Sequence, residues 1–214
     1  MRYCVALPGE NAECVCAGLR TVFEHIGAVP LTLVLDNATG AGHRVAWDRV
    51  SIVKVFELFV EHYRLETRFC NPNSGNEKGS VENAVGFLRR NIMVPLLNAE
   101  SYAQLTRYML ERCDAMAKET HYRKGAPIGG LFAEEKAEMQ PLPSKPYDAI
   151  RWEVRKADKD GRVQVDGNHY LAGPSWRGWT LDVALRAFDV TIRTQDGRTC
   201  ARLPRVYGDS PATI

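Results

Sequence analysis

The feature that most constrains this chain is a change of hydrophobic period at a proline-rich segment. In Gln140-Pro141-Leu142-Pro143-Ser144-Lys145-Pro146, three prolines fall within six positions, which predicts a semi-rigid linker. Before it, apolar residues recur at helical spacing between short β-forming runs. After it they alternate, as Val154, Val163/Val165, Tyr170/Leu171, Leu181/Val183/Leu185, Val190/Ile192 and Cys200/Arg202, separated by Asp160-Gly161, Asp166-Gly167 and Asp196-Gly197 turns. A helical period of 3.6 and a strand period of 2 cannot belong to one element. The chain therefore divides into an α/β part and a small all-β barrel.

Within the first part, Arg2–Leu7 alternates and reads as a strand. Asn11–Ile26 carries Cys14, Leu19, Val22, Phe23 and Ile26 at helical spacing and stops at Gly27. Leu31–Leu35 reads as a strand buried on both faces, Trp47–Tyr63 as a helix, and Leu65–Cys70 as another strand. This order favours a parallel α/β layer. A polar loop, Asn71–Gly79, leads to a helix over Ser80–Met93 with Val81, Val85, Leu88 and Ile92 on one stripe. One further helix is expected between Ser101 and Lys118, and a short one over Leu131–Met139.

At 45% hydrophobic and 25% charged residues, the 214-residue chain can build a real core. The net charge of +2 does not by itself announce a nucleic-acid ligand. The excess lies in the last part, where 11 basic residues face 9 acidic ones from Tyr147 onward. The longest uncharged apolar run, Ile26–Leu35, is about half of the ~20 residues a membrane helix needs. With no secretory signal at the start, a cytoplasmic location is expected. The six cysteines include no C-x-x-C pair and read as reduced, mostly buried thiols. The five histidines show no metal-ligand spacing, and His62 reads as a partly buried or capping residue. Neither a phosphate-cradling G-x-x-x-x-G-K nor a dinucleotide G-x-G-x-x-G is present.

The residues with most chemical content are Asp36, at the end of the Leu31–Leu35 run, and Glu82, near the start of the next helix but one. Carboxylates fixed on rigid elements can hold the hard cations of two-metal phosphoryl transfer. Each also has a structural explanation, Asp36 as a turn former and Glu82 as a first-turn acid favoured by the helix dipole. On a helical wheel Arg89 falls beside Glu82, and Arg90 faces more toward solvent. Beyond the linker, Arg151, Arg155, Lys156, Lys159 and Arg162 surround Trp152, with Trp176, Arg177 and Trp179 farther on. Such a face suits DNA or a docking protein.

Three blocks carry a family resemblance. Leu33-Val34-Leu35-Asp36-Asn37, Phe69-Cys70-Asn71-Pro72-Asn73-Ser74-Gly75-Asn76-Glu77-Lys78-Gly79-Ser80-Val81-Glu82-Asn83 and Val85-Gly86-Phe87-Leu88-Arg89-Arg90-Asn91 resemble the core of IstA-type transposases of the insertion-sequence-twenty-one family. These belong to the DDE transposase and retroviral integrase superfamily. The likeness continues through Gly161–Tyr170, similar to that family's terminal β-barrel. It implies a partial ribonuclease-H-like integrase core over 1–96, a helical extension and linker over 97–146, and a small SH3-like barrel over 147–214.

The resemblance assigns Asp36 to the second Asp and Glu82 to the Glu of an Asp-Asp-Glu triad binding Mg²⁺ or Mn²⁺. By charge and placement, Lys78, Arg89, Arg90, Arg155 and Lys156 are the residues expected on DNA. It implies element ends and target DNA as partners, homo-oligomers, and a separate IstB-type AAA+ ATPase helper, in a bacterial cytoplasm at the nucleoid. It also places Arg2–Leu7 on the third strand of a sheet ordered 3-2-1-4-5. Residues 1–35 contain no Asp, so the first catalytic Asp and two strands are expected to be missing, and the chain to be inactive and prone to aggregate through open edges. The alternative is a non-catalytic DNA-binding or oligomerisation fragment that modulates an intact transposase. An upstream in-frame strand carrying an Asp would restore the enzyme.

Overall fold

The computed structural model describes residues 1–35, 41–46, 49–70, 75–95, 98–208 and 212–214; for 43–46, 49–52 and 75–82 the description covers the backbone alone. The first part contains α1 (Ala12–Ile26), β1 (Thr32–Leu35), β2 (Gly42–Ala46), β3 (Arg49–Ile52), α2 (Lys54–Tyr63), β4 (Glu66–Phe69), α3 (Gly75–Ile92), α4 (Tyr102–Met116) and α5 (Ile128–Ala137). The second contains β5 (Arg151–Lys156), β6 (Arg162–Val165), β7 (Asn168–Leu171), β8 (Thr180–Leu185), β9 (Asp189–Thr194) and β10 (Thr199–Pro204).

Helix α1 forms where its pattern predicts. The Asn11 side chain accepts from the Cys14 amide, satisfying a first-turn donor, and Gly27 closes the helix at φ 69°. Strands β1 and β4 pair in parallel, Leu33 beside Thr67 and Leu35 beside Phe69. Helices α1 and α2 pack their aromatic residues together, with the Phe59 ring 4.6 Å from Tyr63 and Phe23 5.4 Å from Tyr63. Phe56, Phe59 and Phe23 are buried. The linker returns to this core: the Tyr147 hydroxyl donates to the Val55 carbonyl at 3.2 Å, and Val29 and Gln140 exchange backbone hydrogen bonds.

Four expectations for this part are corrected. Residues 1–7 form no strand; the Ala6 amide donates to the Thr106 hydroxyl of α4 instead of to a neighbouring strand. Strand β1 is not buried on both faces, since Val34 is 63% exposed among described neighbours that cover only its other side. The expected helix over Trp47–Tyr63 begins only at Lys54, and β2 and β3 form an antiparallel hairpin ahead of it. Val50 and Val53 fit a helical spacing, but the β-branched Val50–Val53 run favours strand. Finally, α3 starts at Gly75, five residues inside the expected loop.

In the second part every expected strand is present. Strands β10-β9-β8-β5 form one antiparallel sheet in that order and β6-β7 a hairpin, around Val163, Tyr170, Leu181, Val183, Leu185, Val190 and Ile192. At the β6–β7 turn Asp166 and Gly167 both have positive φ, 49° and 79°, as a two-residue hairpin matched to strand twist requires. Strand β5 is inverted. The register sets Arg151, Glu153 and Arg155 opposite Leu185, Val183 and Leu181, on the core side of the sheet, and leaves Trp152 and Val154 outside, 51% and 59% exposed.

Those charges meet a helix. Arg151 Nε donates to Glu13 Oε1 of α1 at 2.9 Å, its Nη1 to Glu153 at 2.7 Å, and its Nη2 to Asp166 at 2.5 Å. Arg205 Nη2 donates to Asp166 at 2.9 Å, and its Nη1 lies 3.6 Å from Glu13. Tyr207 completes the junction, its ring where a Cβ on Gly9 would stand 2.6 Å away and its hydroxyl 3.3 Å from Cys14 Sγ. Burial pushes the Asp166 carboxyl up, but Arg151 and Arg205 outweigh it and hold the group below its ordinary value of 3.8.

Glu13 and Arg205 are almost wholly buried. Replacing Glu13 by Gln leaves Arg205 under-neutralised and should cost about 2 kcal/mol in urea unfolding. A carboxylate held below its unfolded value stabilises fully above that value and less as pH falls through the folded one. Stability should therefore drop below about pH 4, and more shallowly in Asp166→Asn, as acid titration followed by circular dichroism would show.

Candidate functional site

The parallel pairing of β1 and β4 brings their carboxyl ends side by side, the Cys70 amide donating to the Leu35 carbonyl at 2.9 Å. Asp36 follows Leu35, and α3 opens five residues after Cys70. The carboxyl ends of parallel strands are where α/β sheets present ligand-binding groups. Asp36 itself, and the side chains of Lys78 and Glu82, lie outside the described residues. The backbone does put Glu82 two turns inside α3 rather than in its first turn. The helix-dipole explanation for an acid at that position is thereby removed, because the effect falls off within the first turn.

Arg89 and Arg90 sit exposed in the last turn of α3. Of the expected apolar stripe on this helix, Ile92 is buried and Leu88 packs on the same cluster, whereas Val85 is 44% exposed. Among the described residues no group of three His, Cys, Asp or Glu side chains is placed to hold a metal ion. His62 is exposed rather than partly buried, and its Nε2 lies 3.0 Å from the Lys145 carbonyl, tying α2 to the linker.

The two candidates on β5 part company. Arg155 is exposed but tied down within the chain: its Nε donates to the Gln164 carbonyl at 3.1 Å, Nη1 to Val154, and Nη2 pairs with Glu153. It ties β5 to β6. Lys156 is exposed at the end of the outer row Trp152–Val154–Lys156. On that outer face Arg193 of β9, opposite Asp182, holds its guanidinium 5.7 Å from the Trp152 ring. Elsewhere in this part, Trp176, part-buried against the core, and Trp179 meet edge to face at 5.3 Å, and Arg198 covers Trp176 at 4.9 Å. Sequence reasoning does not single out Arg193 and Arg198. The signal that could find Arg193 is the β9 alternation, in which Val190 and Ile192 face inward and Arg193 outward. An exposed ring with a guanidinium against it, as at Trp152, suits a phosphate backbone or bases.

Residues 142–213 match the family model of the Mu transposase C-terminal domain. Over 192 residues, 89% of the chain and 38% of the relative, it is 28% identical to the transposase for insertion sequences IS1326/IS1353 of Pseudomonas aeruginosa. Over 186 residues, 86% of the chain and 47% of the relative, it is 28% identical to the transposase for insertion sequence element IS21 of the same organism. The chain is thus similar to transposases of insertion sequences. A transposase of Aminobacter aminovorans is 29% identical over 88% of the chain. The chain spans less than half the length of these curated relatives. A likeness to IS21-type transposases that omits only about a tenth of the chain must run from before Asp36 to beyond Lys156, so it embraces every residue from Asp36 to Lys156 that the sequence singles out.

For Arg155, the internal hydrogen bonds predict a structural effect. Arg155→Lys, which keeps the charge but loses the fork, should cost about 1 kcal/mol in thermal or urea unfolding, discounted for its partial exposure. It should leave DNA retention nearly unchanged.

Proposed function

We propose that this chain is part of a DDE-type transposase: part of a ribonuclease-H-like integrase core over 1–96, a helical extension and linker over 97–146, and an SH3-like barrel over 147–214. The observation that carries this reading is the likeness to IS21-type transposases across nearly the whole chain, together with the Mu transposase C-terminal match. Asp36 and Glu82 form a donor set of hard carboxylate oxygens, which fits Mg²⁺ or Mn²⁺. Such an ion, when bound, polarises a phosphodiester and activates water. Lys78, Arg89 and Arg90 would neutralise and orient phosphates beside it.

The Trp152–Val154–Lys156 row, with Arg193, is the second DNA-facing surface in this reading. Arg155 serves it by fixing β5. Element ends and target DNA are the ligands, and homo-oligomers and an IstB-type AAA+ helper the protein partners, in the bacterial cytoplasm at the nucleoid. Two carboxylates give two cations an incomplete donor set, so the chain by itself is expected not to cleave DNA. The outer face favours a second reading, in which the chain acts as a DNA-binding or oligomerisation fragment that modulates an intact transposase.

Duplex retention measured against salt separates these expectations. Lys156→Glu with Arg193→Glu should weaken binding several-fold and lower the salt slope by about 1 for each phosphate no longer neutralised. Unchanged affinity and slope would remove this face from the DNA surface. Mg²⁺-dependent nicking by the purified chain, abolished in Glu82→Gln, would overturn the expected inactivity.

A further inference from the structure

The chain carries a thiol pair unrelated to the proposed DNA chemistry. Cys4 and Cys113 are 109 positions apart in sequence, yet their Sγ atoms are within hydrogen-bonding reach at 3.9 Å. Cys113 lies on α4, 1% exposed in a cluster with Ile92 and Met109; Cys4 packs on the same cluster from the amino-terminal segment and is half-buried. A cleft of about 340 Å³, lined in part by Arg2, Phe87, Cys113, Met116 and His121, reaches Cys113. A hydroperoxide, scarcely larger than water, fits such a space.

The two thiols differ in acidity. Hydrogen bonding from Cys4 brings the Cys113 thiol down to about 7 against the opposing effect of burial, with His25 assisting and Asp114 resisting. The Cys4 thiol is held up by the same bond. Cys113 is thereby the more readily ionised of the pair, and the thiolate is the reactive form. Burial instead pushes the Cys16 thiol up to about 12 and raises Cys14 and Cys200 as well.

We propose that Cys4 and Cys113 form an oxidation site, at which a hydroperoxide such as hydrogen peroxide converts the two thiols into one disulfide. The Cys113 sulfur attacks a peroxide oxygen, the O–O bond breaks and hydroxide leaves, giving a sulfenic acid. The Cys4 sulfur, losing its proton, then attacks the Cys113 sulfur; the S–O bond breaks and water departs as the S–S bond forms. Two thiols thus give up two protons and two electrons, and one hydrogen peroxide becomes two waters. The bond pins the amino-terminal segment to α4, where it is otherwise held by the Ala6–Thr106 hydrogen bond and by Arg2 over the Phe87 ring at 4.7 Å.

The test uses the reduced full chain, treated with equimolar hydrogen peroxide, blocked with N-ethylmaleimide and digested for mass spectrometry. The expected dominant product is the Cys4–Cys113 cross-linked peptide, with Cys14 and Cys16 still alkylated after unfolding. The oxidised chain should melt at a higher temperature, reversed by dithiothreitol. In Cys4→Ser, Cys113 should accumulate as a dimedone-trapped sulfenic acid. Recovery of both Cys4 and Cys113 in alkylated form while other cysteines oxidise, or cross-links solely between chains, would overturn the proposal from the wild-type measurement alone.

Discussion

Glu13 is the constraint on which the arrangement depends. A carboxylate in the first turn of a helix ordinarily faces water; here it is 1% exposed, and charge at that depth is tolerable only when neutralised and hydrogen-bonded. Arg151 comes from the first β-strand beyond the linker and Arg205 from just past the last, so α1 is matched to two ends of one sheet. Asp166 and Glu153 then balance the surplus positive charge. Packing of Tyr207 on Gly9 follows the same seam. The polar network fixes which faces meet, while the apolar clusters on either side supply the bulk of the burial.

This seam also explains the inverted strand. With Arg151 and Glu153 committed to the junction, period-2 geometry forces Trp152 and Val154 to the outside. The exposed tryptophan is thus a consequence of the buried arginine, and the surface it offers, with Arg193 against the ring, is held in place by the hydrophobic core beneath β8 and β9. Inward charges on an edge strand also guard the sheet against unwanted pairing.

What could be read from residues alone followed the strength of each local signal. Helix α1 was legible because Asn11, an apolar stripe and Gly27 agree, and strands β6 to β10 because their apolar residues alternate and Asp-Gly turns mark the β6–β7 and β9–β10 connections. The β2–β3 hairpin was hidden by Val50 and Val53, which also suit a helix; the choice was made by β-branching and by pairing partners not visible in one strand. Residues 1–7 alternate like a strand, but a strand exists only beside another, and the Ala6 amide found Thr106 instead. At the candidate site, Glu82 was legible as a residue type, whereas its depth within α3 depended on where the helix begins. Arg155 and Lys156 are exposed neighbours in sequence, but only the register with Gln164 and Glu153 ties Arg155 down, and that pairing is not visible from one strand.

The closure of α1 onto residues near the other end has a consequence for synthesis. Glu13 leaves the ribosome long before Arg205 exists, and at roughly 5–20 residues per second the interval is about 10–40 s. Through that time α1 can form and dock on α2 by its aromatic face, but its carboxylate must stay hydrated. The final seam is therefore a late event in the life of each new molecule, and until it closes the helix and the β-sheet unit remain separately exposed to whatever binds unfinished chains.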